Sequence, residues 1–148
     1  MIKMKLESID VKDDITLITV FDIADCDINT IFREIAKLNI IVDMIMVSEN
    51  LMFTVKDSDL RNTAVAVLNA IGDKFYSISS SNSKIRMHCS DVSQTTKIAE
   101  LVFKGLYGAN IHPKLTDIAL GEVSVLVDRL NIDRAVNAIK KEMSKIDG

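Results

Sequence analysis

The sequence is short of the residues that build the commonest nucleotide sites. Among 148 residues there are five glycines and one proline. Phosphate-cradling loops need glycine, whose missing Cβ permits positive φ and close backbone approach. Neither GxGxxG nor GxxxxGK followed by Ser or Thr occurs, so the familiar nucleotide-binding loops are excluded. The two cysteines, Cys26 and Cys89, are too few for a disulfide scaffold and read as reduced thiols. With His88 and His112 they match no zinc-ligand spacing. His88 and Cys89 are adjacent in an extended stretch and point to opposite faces, so His88 is not placed to activate a Cys89 nucleophile. No apolar run approaches the roughly 20 residues of a membrane helix, and the opening MIKMKLESID has no signal-peptide core. A net charge of -3 supplies no basic field for nucleic acid or an anionic membrane. These absences together predict a soluble, cytoplasmic protein.

What is present is a core. Hydrophobic residues make up 48% and charged residues 26%, enough apolar surface for one ordinary domain or two small ones. Met4 to Val11 alternates loosely and reads as a strand, closed by a turn at Lys12-Asp13-Asp14; Ile15 to Phe21 is a β-branched run, apolar on both faces. Ile28, Ile31, Phe32, Ile35 and Leu38 recur at helical spacing, with Asp25 or Asp27 as cap. Two strands, Ile40 to Val47 and Leu51 to Val55, flank a polar corner at Ser48-Glu49-Asn50. Asp57 or Ser58 caps a helix with inner face Leu60, Ala64, Val67, Leu68 and Ile71, ended by Gly72. Phe75 to Ile78 is a short strand and Ser79 to Ser83 the one linker-like segment.

After that segment the order returns. Lys84 to Cys89 is a strand; Ile98, Leu101, Val102 and Leu106 mark a helix, with Ser93 a possible cap before it. Asn110 to Ile118 is extended and interrupted by Pro113, and Glu122 to Asp128 is a strand. Asn131 caps a last helix with face Ile132, Ala135, Val136, Ile139, Met143 and Ile146. A shift of about 71 residues lays Ile31 on Val102, Phe32 on Phe103, Ile35 on Leu106 and Asn39 on Asn110. A shift of about 72 lays Phe53 on Val125, Leu60 on Ile132 and Val67 on Ile139. The expected fold is therefore α+β: tandem ferredoxin-like βαββαβ units with antiparallel sheets and helices on one face. The second unit lacks a closing strand and the first has one too many. The expected division is 15–83 for the first domain and 84–148 plus 1–14 for the second, the N-terminal strand completing the second sheet.

The run IFREIAKLNIIVDMIMVSENLMFTV, Ile31 to Val55, resembles the first regulatory ACT domain of aspartate kinases. Asn39, Ile40, Val42, Asp43, Met44 and Ile45 stand for that family's Asn-Ile-x-Val-Asp-Met-Ile. Ser48 and Glu49 match its corner, and Phe53, Thr54 and Val55 its next strand. The resemblance implies tandem ACT domains, the first inserted into the second, and feedback control of aspartate-family amino-acid biosynthesis (lysine, threonine, methionine). It implies no catalysis in this chain and no cofactor here, ATP and magnesium belonging to an attached kinase domain. It also implies an amino-acid effector, lysine or threonine, a kinase domain or subunit as partner, and a homodimer through ACT domains. The family's loops before each first helix read Asp-x-Pro-Gly. Here the loops are Asp22-Ile23-Ala24-Asp25-Cys26-Asp27 and Ser90-Asp91-Val92-Ser93-Gln94-Thr95, without Pro-Gly.

The effector-site candidates that follow are Asp22, Asp25, Asp27, Ile28, Asp43, Met44, Ser48, Glu49, Ser93, Gln94 and Thr116. Each has a plainer reading. The three loop aspartates repel a carboxylate and can hold an ammonium group, or else they cap a helix. Asp43 faces a ligand or is an exposed hairpin charge; Ser48 and Glu49 line a site or only make a turn. The rival to an amino-acid sensor is a degenerate ACT pair that serves dimerisation or partner binding without an effector.

Overall fold

The computed structural model describes residues 8–72 and 74–145. Its elements run β1 (Ser8–Val20), α1 (Asp25–Lys37), β2 (Ile45–Val47), β3 (Leu51–Lys56), α2 (Leu60–Ile71), β4 (Tyr76–His88), α3 (Thr95–Gly108), β5 (Leu115–Ala119), β6 (Glu122–Asp128) and α4 (Ile132–Ser144). This is an α+β fold with antiparallel strand pairs and, among the described residues, four helices. The chain divides into a continuous unit, Asp14–Asn82, and a split unit whose described residues are 8–13 and 83–145. The long strands β1 and β4 each change unit part-way, at Asp13/Asp14 and at Asn82/Ser83.

In the continuous unit the strands lie in the order β2-β3-β1-β4. β1 and β3 are antiparallel from Ile15↔Lys56 to Val20↔Leu51, and β2 and β3 form a hairpin from Ile45↔Phe53 to Val47↔Leu51. Alternation sends Ile18 and Val20 of β1 and Leu51, Phe53 and Val55 of β3 to one face. Ile31 and Ile35 of α1 and Ala66 and Val67 of α2 close over them. Each large side chain so buried contributes about 1.5–3 kcal/mol. The Phe32 and Phe53 rings add a tilted pair at 5.9 Å.

In the split unit the order is β1-β4-β6-β5. β5 and β6 pair from Leu115↔Leu126 to Ala119↔Glu122. The core joins Ile85 and Met87, Val123, Val125 and Val127, Ile98, Val102 and Leu106 of α3, and Ala135 and Ile139 of α4. Gly105 lets the two helices meet backbone to backbone. A Cβ there would lie 2.9 Å from the Ala138 carbonyl oxygen.

Both units end their first helix in the same way. Asn39 has φ 56 and Asn110 has φ 57. Asn39 and Ile40 donate back to the Ala36 and Ile35 carbonyls; Asn110 and Ile111 donate to Tyr107 and Leu106. Asparagine tolerates the left-handed conformation this ending needs. α2 and α4 are each entered through a short 3-10 turn, Asp57–Asp59 and Arg129–Asn131.

Four local expectations change. The segment Ser79 to Ser83 is no linker: it lies inside β4, with Asn82 and Ser83 fully buried. Hydrogen bonds make that burial tolerable. The Asn82 side-chain amide donates to the Ile15 and Ser79 carbonyls at 3.1 and 2.8 Å, and the Ser83 hydroxyl donates to Asp13 Oδ1 at 2.5 Å. The two expected N-terminal strands are one strand over the described part, and the expected turn shrinks to a single left-handed residue, Asp14 at φ 61. Met4 to Glu7 lie outside the described residues. The strand expected over Ile40 to Val47 is regular only at Ile45–Val47, although the Asp43 amide still donates to the Thr54 carbonyl at 3.1 Å. Finally, α2 buries Thr63, Ala66 and Val67 and leaves Leu68 49% exposed. Small residues permit close approach there, and the Thr63 hydroxyl is satisfied by the Asp59 carbonyl at 2.7 Å. Ile146, expected on the face of α4, lies outside the described residues.

Candidate functional site

The candidates gather best at one end of the continuous unit, where β1 runs into α1. Val20 is the last strand residue, and Asp22 turns the chain with φ 54. Four successive backbone amides then find acceptors. Phe21 donates to the Phe75 carbonyl at 3.1 Å and Ile23 to the Glu49 carbonyl at 3.0 Å. Asp22 donates to Asn50 Oδ1 at 3.0 Å and Ala24 to Asp27 Oδ2 at 3.4 Å. The Phe21 and Phe75 rings lie 5.0 Å apart over the same end. The loop is thereby tied to the β2–β3 corner, itself closed by the Ser48 amide on the Asn50 carbonyl at 2.9 Å.

Ala24 is the N-cap of α1 and has no side chain with which to cap. Asp27, three residues on, does that work: its carboxylate reaches back to the Ala24 amide at the positive end of the helix. Lys74 closes an ion pair on the same carboxylate oxygen. The Lys74 hydrogen bond is the main reason the Asp27 carboxyl titrates below its ordinary range; the Ala24 amide helps, and partial burial opposes. Reciprocally, the Asp27 hydrogen bond holds the Lys74 ammonium above its ordinary value.

Asp22, Asp27, Ser48 and Glu49 thus come together, with Asp25 exposed in the first turn of α1. Ile28 packs against the core. Asp43 and Met44 do not join them. They sit beyond the far end of β2, opposite Thr54, and Met44 is 2% exposed, its amide donating to the Thr54 hydroxyl at 2.9 Å.

Ser93, Gln94 and Thr116 belong to the split unit. Ser93 lies in a 3-10 turn before α3, where Asp91 Oδ1 accepts from its amide at 3.1 Å and its hydroxyl at 2.6 Å. The Gln94 side-chain carbonyl is buried without a hydrogen-bond partner. Thr116 is half-buried on β5, opposite Val125. This loop is closed by Thr95, whose hydroxyl accepts from the Gly121 amide at 2.8 Å and donates to the Val92 carbonyl at 2.7 Å. The Cys89 amide in turn donates to the Gly121 carbonyl at 2.9 Å. Gly121 has φ 81, and a Cβ on it would sit 3.0 Å from the Cys89 carbonyl oxygen.

Sequence reasoning did not single out Asn50, Lys74, Asp91, Thr95 or Gly121. The corner Ser-Glu-Asn was a usable signal for Asn50, since asparagine side chains seek nearby backbone groups. Lys74 gave none, because its partner is 47 residues away. Among the described residues no three His, Cys, Asp or Glu come together as metal ligands, and no helix is long and apolar enough to cross a membrane.

No family model matches the sequence, and no curated protein matches it. Solved structures do. The ligand-free regulatory subunit of aspartate kinase from Thermus thermophilus superposes with a TM-score of 0.84 at 18% identity, covering 93% of this chain and 99% of that one. The fold is that of aspartate kinase regulatory subunits. A structure of aspartokinase alpha and beta subunits gives 0.86 at 20% identity over 95% of this chain and 99% of the other. The E. coli aspartokinase III, solved with aspartate and ADP, gives 0.77 at 14% identity over 94% of this chain but 34% of its own.

Proposed function

We propose that the chain is the regulatory, amino-acid-sensing module of an aspartate-kinase-type system: tandem ACT domains without catalysis of their own. The observation that carries this reading is the end-to-end likeness to a free-standing regulatory subunit, 93% of this chain on 99% of that one. The first ACT domain is taken as 15–83, inserted into a second formed by 84–148 with 1–14. The division of the chain at Asp13/Asp14 and Asn82/Ser83 supports that assignment. The partner is a kinase domain or subunit, the setting in which the longer E. coli aspartokinase III carries this fold. ATP and magnesium act on that partner; this chain needs no cofactor. The setting is the cytoplasm, and the pathway is aspartate-family biosynthesis of lysine, threonine or methionine.

The mechanism is a population shift. An effector bound at the ACT domains stabilises one kinase conformation by its differential affinity for the two states, and by no more than that difference. Lysine and threonine are the first effectors to test. The candidate contacts are Asp22, Asp25, Asp27, Ile28, Asp43, Ser48, Glu49, Ser93, Gln94 and Thr116, with Met44 behind them. A homodimer through ACT domains accords with the exposed apolar edge Ile45, Met46 and Val47. Titration calorimetry against lysine, threonine, methionine and the remaining amino acids is the test. Heat with one of them, saturating at one equivalent or less per chain, is expected; silence with all removes the sensing role. Light scattering with and without the amino acid reads the dimer, and a strict monomer in both removes it.

A further inference from the structure

In the split unit the outermost strand beside β4 is the first part of β1, Ser8–Asp13. There Asp13 accepts from the Ser83 hydroxyl and Asp10 pairs with Arg86 at 3.5 Å. β3 joins the other side of β1 only from Ile15 onward, so among the described residues no strand lies along the outer side of Ser8–Asp13. Alternation sorts the side chains of this edge. Ile9 packs against the core. Val11, 44% exposed, and Asp13 line a groove of about 470 Å3 whose other wall is α4, at Ile132, Asp133, Val136 and Asn137. Asp10 and Lys12 therefore belong to the opposite, helix-free face.

A row of unpaired N–H and C=O groups is a template for another strand. The charges on this edge select which strand. Antiparallel pairing with a second copy, centred on Val11, sets Asp10 against the second copy's Lys12, and Lys12 against its Asp10. Centring on Asp10 or on Lys12 instead sets like charges directly opposite. α4 repeats the pattern. Asp133, Val136, Asn137 and Lys140 share one flank by their i, i+3, i+4, i+7 spacing. The two-fold axis that pairs the strands runs the two α4 helices antiparallel, which turns Asp133 of each toward Lys140 of the other. Among the described residues Lys12, Asp133 and Lys140 have no ion pair within the chain.

We propose that Ser8–Asp13 is a self-pairing edge, through which two copies of the chain join by antiparallel β1 strands centred on Val11. The occupant is a second copy because the charge pattern of both strand and helix is complementary to itself under a two-fold axis, as an isologous contact requires. The contact is separate from the exposed edge Ile45–Val47, and it does not depend on the sensing reading.

Cross-linking tests the register. The full chain carrying Cys26→Ser is given Val11→Cys or Lys12→Cys and oxidised briefly across a dilution series. Directly opposed residues have Cβ atoms about 4.5–5.5 Å apart, so Val11→Cys should form a disulfide-linked dimer. Lys12→Cys should not, because its counterpart is displaced by two residues, about 7 Å along the strand. The strength is then read from the concentration that gives half-maximal linkage at Val11→Cys. Adding Lys12→Asp should raise it about tenfold or more, since both symmetric pairs turn repulsive. Adding Asp10→Lys to that variant exchanges the charges and should bring it back toward the starting value. Melting curves check that each variant folds, and the exchanged pair guards against a defect in the single change. No linkage at Val11→Cys overturns the proposal and leaves the charges as guards against pairing. Equal linkage at the two positions, or no recovery on charge exchange, overturns it as well.

Discussion

The loops that lead into α1 and α3 occupy corresponding places in the two units and are closed on opposite plans. Before α1, closure is polar and outward. Amides are taken by Asn50, by the Glu49 carbonyl and by Asp27, and an ion pair to Lys74 finishes the end. Before α3, closure is buried and uncharged. One hydroxyl, Thr95, bridges two backbone groups, and a glycine at φ 81 leaves no room for a side chain. The far ends of the same helices are alike, each finished by an asparagine in the left-handed region. Element order thus fixes where a helix stops more tightly than it fixes the chemistry of its start. A buried seal resists exchange with a ligand; a surface ion pair is the exchangeable kind.

That contrast can be broken most severely at Gly121. Gly121→Val places a β-branched residue at φ 81 and drives its Cβ against the Cys89 carbonyl, so urea unfolding should show a loss of about 3 kcal/mol. Thr95→Val keeps the volume but strands the buried Gly121 amide, at about 1–3 kcal/mol by the same measurement. In the other loop, Asn50→Ala frees the Asp22 amide next to solvent, which can replace the lost acceptor. We expect about 0.5–1 kcal/mol and faster hydrogen exchange at Asp22. A loss there as large as at Thr95 would erase the distinction. At the matched helix ends, Asn39→Gly and Asn110→Gly should each leave stability within about 0.5 kcal/mol, and by equal amounts.

The smallest effect is in pH. Asp27 titrates below its ordinary 3.8, so its share of stability is present above that value and is lost as pH falls through its lowered folded value. Lys74 titrates above its ordinary 10.5, so its share is complete below that value and is lost as pH rises through the raised one. The melting difference between wild type and Asp27→Ala should be flat through neutrality and shrink at both extremes. A difference that persists in strong acid would mean Asp27 acts by packing.

Much of this was legible in the sequence. The helical spacing of Ile28, Ile31, Phe32 and Ile35 predicts α1, Gly72 predicts the end of α2, and the strand expected over Glu122 to Asp128 is β6 with the same bounds. Those signals are local and periodic. The segment Ser79 to Ser83 misleads, because polar composition normally means solvent, and what satisfies Asn82 and Ser83 are Ile15 and Asp13, some 70 residues earlier. The face of α2 misleads because Leu68 is half exposed while the smaller Thr63 and Ala66 are buried. Lys74 is silent for the reason Asn82 is: pairing at long sequence range leaves no local trace.

The division of the two long strands sets an order of assembly. The split unit must join residues 8–13 to residues 83–145 across a gap of about 70 residues, a closure costing on the order of 4 kcal/mol for a flexible chain. The continuous unit contains that gap entirely. Once folded, it holds Asn82 against the Ile15 carbonyl at 3.1 Å, so the chain enters and leaves it at neighbouring points. The intervening residues then behave as a short rigid staple rather than a long loop. The continuous unit is thus expected to fold first and template its neighbour, with protection from hydrogen exchange appearing in α1 and β3 before α3 and β6.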